Sequence, residues 1–410
     1  MKDNILIIGG GHAGSMAAIL LRQKKYKGSI SIVSEENHLP YQRPPLSKAY
    51  LLGNTEKKSL YFKSREYYKN NNIEFISNKT AIKIDRADSR VLLDDGEHLK
   101  YKSLIIATGS KLNRLKHSSK NQNIYYLKTI EDSIKLRSVF KKHKKIVIIG
   151  AGYIGLEVAS ALIKNKLDVT VIETTERVMN RSVCDQTSDF IMNMHIKAGV
   201  KFLFNTSVID IKDINLKKRI YLNNESSLDA DAIIIGIGIS PNIKLAQDSG
   251  LDCSNGIIVN EYCQTSHPKI YAIGDCTEHP NKIYQRRVRL ESVHNAAEQA
   301  KTASGVICGK KKPYQQVPWF WTEQYGLKIQ IAGLSNDYDD IVLRGNLKDK
   351  KFSIFYLKNK KIIAVDAIND NQSFLSGRKL IKIEANISKS KLSDVKINLR
   401  DLIKKPYIGN

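Results

Sequence analysis

Two glycine clusters hold the residue types and spacings in this chain that point most directly to chemistry. The first is Ile5-Leu-Ile-Ile-Gly9-Gly-Gly11-His-Ala13-Gly14, and the second is Ile146-Val-Ile-Ile-Gly150-Ala-Gly152-Tyr153-Ile154-Gly155. Each reads Gly-x-Gly-x-x-Gly between an apolar run and a helical pattern. Each is followed, about 20 residues on, by an acid that closes a second apolar run: Glu35 after Ser31-Ile-Val33, and Glu173 after Val169-Thr-Val-Ile172. The first glycine permits a tight strand-to-helix turn. The second removes a side chain, so backbone can approach a pyrophosphate, and the third lets helix and sheet pack closely. The helix start offers free N–H groups and partial positive charge to the phosphates. The acid suits ribose hydroxyls. One such cluster is a weak signal. Two, both with strand, helix and acid in register, predict a chain that holds two dinucleotides and passes electrons between them.

The elements that must position these residues alternate from the start. Strand 4–9, helix 13–23 and strand 30–34 lead to a Pro-rich loop, Leu39 to Ser47, that is expected to open a second helix. Segments 80–86 and 90–94 flank Asp94-Asp95-Gly96 as hairpin strands. The run Leu104-Ile-Ile-Ala107 ends in Thr108-Gly109. A polar stretch, 114–123, and a helix at 131–140 precede the second cluster, which continues through strand 169–173, helix 186–198, a second hairpin region and Ala232-Ile-Ile-Ile-Gly236. The two halves repeat one order, which a duplicated nucleotide-binding unit explains. Ile270-Tyr-Ala-Ile-Gly274-Asp275 and a helix from 292 to 308 share no repeat with the second unit and are expected to return to the first. From Trp319 the pattern changes to four alternating segments, near 327–333, 339–345, 351–357 and 361–367. These predict a small antiparallel sheet with helices after it.

Composition bounds the rest. The 410 residues suffice for two or three domains. No apolar run approaches the roughly 18 residues of a membrane helix, so no membrane role is expected. Met1-Lys-Asp leads directly into a strand without a signal-peptide pattern, and a cytoplasmic location is expected. Cys184, Cys253, Cys263, Cys276 and Cys308 form no short pair, which suggests neither a zinc site nor a disulfide framework. The net charge of +25 has two readings: a solvated lysine-rich surface, or a basic face that steers an acidic partner. No motif supports nucleic-acid recognition.

Three further stretches carry a resemblance that spans nearly the whole chain: Arg43-Pro-Pro-Leu-Ser-Lys48, Arg289-Leu-Glu-Ser-Val293-His-Asn295, and Pro318-Trp319-Phe-Trp321 followed by Gln330-Ile-Ala-Gly333. Together with the two clusters, they resemble the flavoprotein pyridine-nucleotide oxidoreductases, and among these the single-component ferredoxin reductases of oxygenase systems. The apoptosis-inducing-factor flavoproteins share the first stretch. The resemblance implies an α/β chain of two Rossmann-like domains: an FAD domain of residues 1–112 and 239–318, and an NAD(H) domain of 113–238. A C-terminal α+β domain with a small antiparallel sheet, 319–410, completes it. Disulfide-reducing relatives carry cysteine where this chain has Arg43 to Lys48, so thiol exchange is not expected and the flavin must be where electrons leave.

Residue by residue, the resemblance implies that Gly9, Gly11, Ala13 and Gly14 meet the FAD pyrophosphate and Glu35 the adenosine ribose. Ala81 would offer its backbone to adenine, and Asp275, after Gly274, would bind the ribitol or pyrophosphate region. Val293 would donate its N–H to the flavin pyrimidine ring, and Arg43, Thr108 and Gly109 are also expected to bind cofactor. Lys48 would lie beside the isoalloxazine, paired with Glu157; a surface lysine and a dipole-stabilised helix acid are the plainer alternatives. Lys128 stands where the family often has Arg, which puts bidentate phosphate binding in doubt. Gly150, Gly152, Tyr153, Ile154, Gly155, Glu173, Arg181 and Gly238 fall to NADH. Glu173 favours NADH over NADPH, and Arg177 and Arg181 are placed to soften that preference. Trp319 and Trp321 are either core aromatics or flavin contacts, or both. Cys276 reads as a small buried residue.

Electrons would pass from NADH through FAD to a separate, acidic ferredoxin or similar iron–sulfur protein, by a monomer or homodimer. Two alternatives stay open: an NADH oxidase that uses oxygen or a quinone, and a redox-sensing flavoprotein of the apoptosis-inducing-factor kind.

Overall fold

The computed structural model describes residues 3–116, 123–215 and 217–403; part of the polar stretch at 114–123 and the last residues of the chain lie outside these. The chain divides into two compact units. One comprises residues 1–43, 57–111 and 239–318; the other comprises 44–56, 112–238 and 319–410.

In the first unit, the apolar strand Asn4–Ile8 is flanked on both sides by parallel partners, Ser29–Ser34 and Ser103–Ile106. Ile73–Ser77 and Ile270–Ala272 complete a five-stranded parallel sheet, so the chain after the second cluster rejoins this sheet. Alternation divides the buried side chains: Ile5 and Ile7 enter one core, Leu6 and Ile8 another, as a sheet covered on both faces requires. Helices His12–Gln23 and Val293–Ile307 pack together through small residues, Ala17 and Ala18 on one, Ala296, Ala300 and Ala303 on the other. The second core is closed by the three-stranded antiparallel sheet of Ala81–Asp85, Arg90–Leu93 and His98–Lys100.

The second unit repeats the plan. Lys145–Ile149 lies between Asp168–Ile172 and Ala232–Ile235 in a parallel sheet, with an antiparallel excursion of Val208–Ile214, Lys217–Leu222 and Ser227–Ala230 packed over its core. Residues 319–403 add a five-stranded antiparallel sheet, where four strands were expected from the sequence. The extra strand is Trp319–Gln324, paired with Leu327–Gly333. Three consecutive aromatics, Trp319-Phe-Trp321, hide its two-residue period. Helix Asn371–Lys382 covers the sheet, and Gly377 lets it approach Val365 closely.

The helix expected after the Pro-rich loop does not form. Pro44–Ser47 is a single 3-10 turn, and residues 48–54 continue as linked turns. Their bonds reach back three, four or five residues in place of a helical ladder: Lys48 and Tyr50 N–H both donate to Pro45 O, Leu52 N–H to Lys48 O and Asn54 N–H to Ala49 O. This segment belongs to the second unit because helix Ile130–Lys142 holds it: Ser133 Oγ donates to Leu46 O at 2.9 Å, and Arg137 donates to Tyr50 O. Among the described residues, no helix is long and apolar enough to cross a membrane.

Candidate functional site

Close approach dictates the first and last glycines of each Gly-x-Gly-x-x-Gly, and open space surrounds the middle one. Gly9 has φ +115°, and a Cβ there would lie 2.2 Å from Ala107 O; a Cβ at Gly14 would lie 2.0 Å from Gly9 O. Around Gly11 nothing lies within 4 Å of the Cβ position. The protein's own packing therefore demands the outer two, whereas the middle one leaves backbone bare for a ligand. Gly11 also caps helix His12–Gln23 with no side-chain hydrogen bond, and the first turn carries no acid. The second cluster matches. A Cβ at Gly150 (φ +104°) would lie 2.5 Å from Gly236 O, and one at Gly155 2.1 Å from Gly150 O, while Gly152 has nothing within 4 Å. Helix Tyr153–Lys164 likewise lacks a side-chain cap and a first-turn acid. Both turns fit a pyrophosphate, whose charge suits bare helix N-termini.

Around the first turn, Gly274 (φ +82°) comes so close that a Cβ there would be 3.0 Å from the Ala13 Cβ, which sets Asp275 next to the cradle. Gln299 Oε1 holds this loop, accepting from Gly274 N at 2.7 Å and Thr277 Oγ1 at 3.0 Å. Glu35 is exposed just beyond strand Ser29–Ser34, and its neighbour Glu36 pairs with Arg43 at 2.6 Å. Thr108 Oγ1 donates to Asn242 O at 2.7 Å, and Gly109 O accepts from Asn242 N. Ala81 opens its strand. Val293 is the first residue of its helix, so its N–H has no intrahelical acceptor. His12 was passed over by sequence reasoning, because the fingerprint leaves its position free. Its Nδ1 is buried with no hydrogen-bond partner among the described residues. Burial, then the Arg43 charge, lowers its pKa to about 4, so the ring is neutral near pH 7.

In the second unit Glu173 shapes the turn as well as ending the strand. Its carboxylate accepts from Ala151 N at 2.7 Å, inside the glycine loop, and from Thr175 N at 2.9 Å. Arg177 braces its own loop, donating to Val183 O at 2.8 Å and pairing with Asp185 at 3.0 Å. Arg181 is exposed, with Nη2 4.0 Å from the Cβ position of Gly238 (φ +95°). The Tyr153 ring packs on Phe320 at 4.5 Å, and Ile154 is exposed. Lys128 precedes helix Ile130–Lys142, and its backbone N–H donates to Asp132 Oδ2 at 3.0 Å.

Lys48 and Glu157 meet in this unit, Nζ to Oε1 at 2.7 Å, with the carboxylate side chain 1% exposed. Glu157 lies in the second turn of its helix, inside the protein, and is not an exposed first-turn acid. Two hydroxyls that sequence reasoning did not single out complete its shell: Ser47 donates to Oε2, and Thr322 donates to Oε1 at 2.6 Å. Trp319 and Trp321 lie 5.5 Å apart on the extra strand, with Trp319 also against Phe374 at 5.6 Å. All five cysteines are free thiols. Burial pushes Cys276 up to about 11 and raises Cys263 as well, so these two are poor nucleophiles.

Two dinucleotide cradles with a charged pair, on a duplicated α/β plan, define a dinucleotide-dependent oxidoreductase. The chain belongs to the pyridine nucleotide-disulphide oxidoreductase family, whose model matches residues 3–300; a reductase C-terminal model matches residues 319–403. The family implies FAD and NAD(H) as cofactors. The chain is 37% identical to putidaredoxin reductase of Pseudomonas putida, over 98% of this chain and 97% of that one. It is 38% identical to a rubredoxin-NAD(+) reductase of Pseudomonas putida, over 89% and 95%. The reductase in a crystal structure of the covalent putidaredoxin reductase–putidaredoxin complex superimposes with TM-score 0.95 at 37% identity, covering 98% of each chain.

Proposed function

We propose that this chain passes electrons from NADH through FAD to a separate ferredoxin-type iron–sulfur protein, in service of an oxygenase. The observation that carries the proposal is the Ser47–Lys48–Glu157 group: an ion pair stands where disulfide-reducing relatives have cysteine, in a chain that also builds two cradles for dinucleotides. With no sulfur there, reducing power has no thiol exit.

In the first unit, the Ala13–Gly14 helix start would hold the FAD pyrophosphate, Glu35 the adenosine ribose, and Asp275 the ribitol side. The Val293 N–H would face the pyrimidine ring. When bound there, FAD would supply hydride acceptance and one-electron release, and these residues would hold and orient it. In the second unit, the Gly152–Gly155 turn takes the NADH pyrophosphate and Glu173 its adenosine ribose. That carboxylate repels a 2′-phosphate, so NADH is preferred over NADPH. Arg177 is committed to Asp185 and its own loop, which leaves Arg181 as the cation nearest to serving NADPH. Hydride transfer needs no side-chain acid or base; the residues bind, orient and set charge. Lys48, held by Glu157, supplies a fixed positive charge that tunes the flavin. The +25 net charge favours an acidic acceptor protein.

The test is turnover with a panel of acceptors: ferredoxins, rubredoxin, oxygen and quinones. An iron–sulfur protein should be reduced fastest. A small acceptor that outpaces every iron–sulfur protein would replace this reading with an oxidase. In the same assay Glu173→Ala should narrow the gap in kcat/KM between NADH and NADPH, and a wild-type preference for NADPH would overturn the role given to that acid.

A further inference from the structure

A continuous run of hydrogen bonds, buried from His195 inward, ends on Glu157. Thr322 Oγ1 meets Glu157 Oε1 at 2.6 Å, Gln324 Nε2 meets Thr322 Oγ1 at 3.2 Å, and His195 Nε2 meets Gln324 Oε1 at 2.8 Å. Tyr325 OH meets His195 Nδ1 at 3.0 Å. Thr322, His195 and Gln324 are fully buried or nearly so. The run closes on its starting helix, because the Tyr325 backbone N–H donates to Ser160 Oγ at 3.1 Å, one turn beyond Glu157.

The direction of every bond follows from the carboxylate. An ionised Glu157 only accepts, so Thr322 donates to it and must accept from the Gln324 amide nitrogen. The amide oxygen of Gln324 then faces His195, which donates from Nε2. Burial lowers the His195 pKa to about 4, so the ring is neutral, and Nδ1 accepts from Tyr325. All four donors point one way. An amide in the middle passes no proton without leaving its stable tautomer, so the run transmits polarisation and not protons.

We propose that Tyr325, His195, Gln324 and Thr322 are positioning residues, a polarised hydrogen-bond chain that holds the Glu157 carboxylate aimed at Lys48. The proposal rests on the reading in which Lys48 tunes the flavin. A carboxylate 1% exposed is costly to keep charged, and donors to its charged form offset that cost.

Two measurements on the FAD-loaded enzyme test it. Nitrogen-15 NMR of His195, assigned with His195→Gln, should show the neutral Nε2–H tautomer at pH 7; the Nδ1–H tautomer would overturn the chain. In stopped flow, Thr322→Val should slow hydride transfer from NADH about tenfold, as loss of one hydrogen bond to a charged group would, and move the flavin midpoint potential with the KM for NADH unchanged. Thr322→Ser should recover most of the lost rate. Wild-type rate and potential in Thr322→Val would overturn the proposal. Should that variant fail to fold, the wild-type tautomer decides alone. Should Lys48→Ala also be silent, the role of Lys48 falls, while the tautomer still reports on the chain.

Discussion

Lys48 and Glu157 show what the residue scale carries. A lysine after Pro44-Pro45 and an acid on the helix after the second glycine cluster are far apart in sequence, yet their nitrogen and oxygen lie 2.7 Å apart. Their motif made the pairing legible. Ser47 and Thr322, which complete the carboxylate's shell, were not legible, because a lone hydroxyl residue has no spacing that announces it. His12 escaped for the same reason. Lys48→Ala leaves a buried carboxylate without its cation, so stability should fall by about 3 kcal/mol. Hydride transfer from NADH should slow with FAD still bound. Stopped-flow reduction and denaturant unfolding check this; unchanged reductive kinetics and flavin spectrum would show that the Lys48 charge does not act on the flavin.

At the scale of elements, the glycine turns separate ligand from scaffold. A Cβ at Gly11 meets nothing within 4 Å, whereas one at Gly14 meets Gly9 O at 2.0 Å. Gly11→Ala should therefore fold normally and lose FAD, while Gly14→Ala should lose thermal stability as apoprotein too. Flavin content and apoprotein melting distinguish the two, and equal melting of both variants would contradict this division. Ile73–Ser77, broken by Glu74, and the three-residue Lys201–Leu203 escaped the sequence reading, but the central parallel strands were readable as apolar runs that end in glycine. The strand Trp319–Gln324 was not, since aromatics at successive positions carry no two-residue period. After the Pro-rich loop the expected helix gives way to linked turns, because the bonds of residues 48–54 vary in span and never settle into one helical ladder.

Asp366, on strand Lys361–Ile368, is a second element-scale feature without a sequence signal. It is fully buried, accepts from Thr187 Oγ1 at 3.0 Å and from Tyr356 OH, and so ties the C-terminal sheet to helix Asp185–Lys197. Burial raises its pKa from 3.8 to about 7. Between those values the unfolded chain releases a proton that the folded chain keeps, so stability falls as pH rises through the window and levels off above it. The slope is about 1.4 kcal/mol per pH unit at most. Asp366→Asn keeps an acceptor for both hydroxyls and should flatten the melting temperature across that window. A slope identical to wild type would show that Asp366 keeps its ordinary pKa.

The whole molecule combines a duplicated nucleotide-binding plan, a C-terminal sheet and a charge of +25. The repeat was legible from two fingerprints in register. The use of the charge was not, since lysine-rich surfaces arise without function. Electron exit to an acidic iron–sulfur protein gives that charge a measurable consequence: steered association weakens as salt shortens the field to about 8 Å at physiological ionic strength. The direct test is stopped-flow oxidation of NADH-reduced enzyme by a ferredoxin and, separately, by oxygen across a salt series. Ferredoxin should be the faster acceptor and lose rate steeply with salt, while NADH-to-flavin hydride transfer changes much less. Faster oxidation by oxygen than by any iron–sulfur protein, with little dependence on salt, would contradict electron transfer to a ferredoxin as this chain's function.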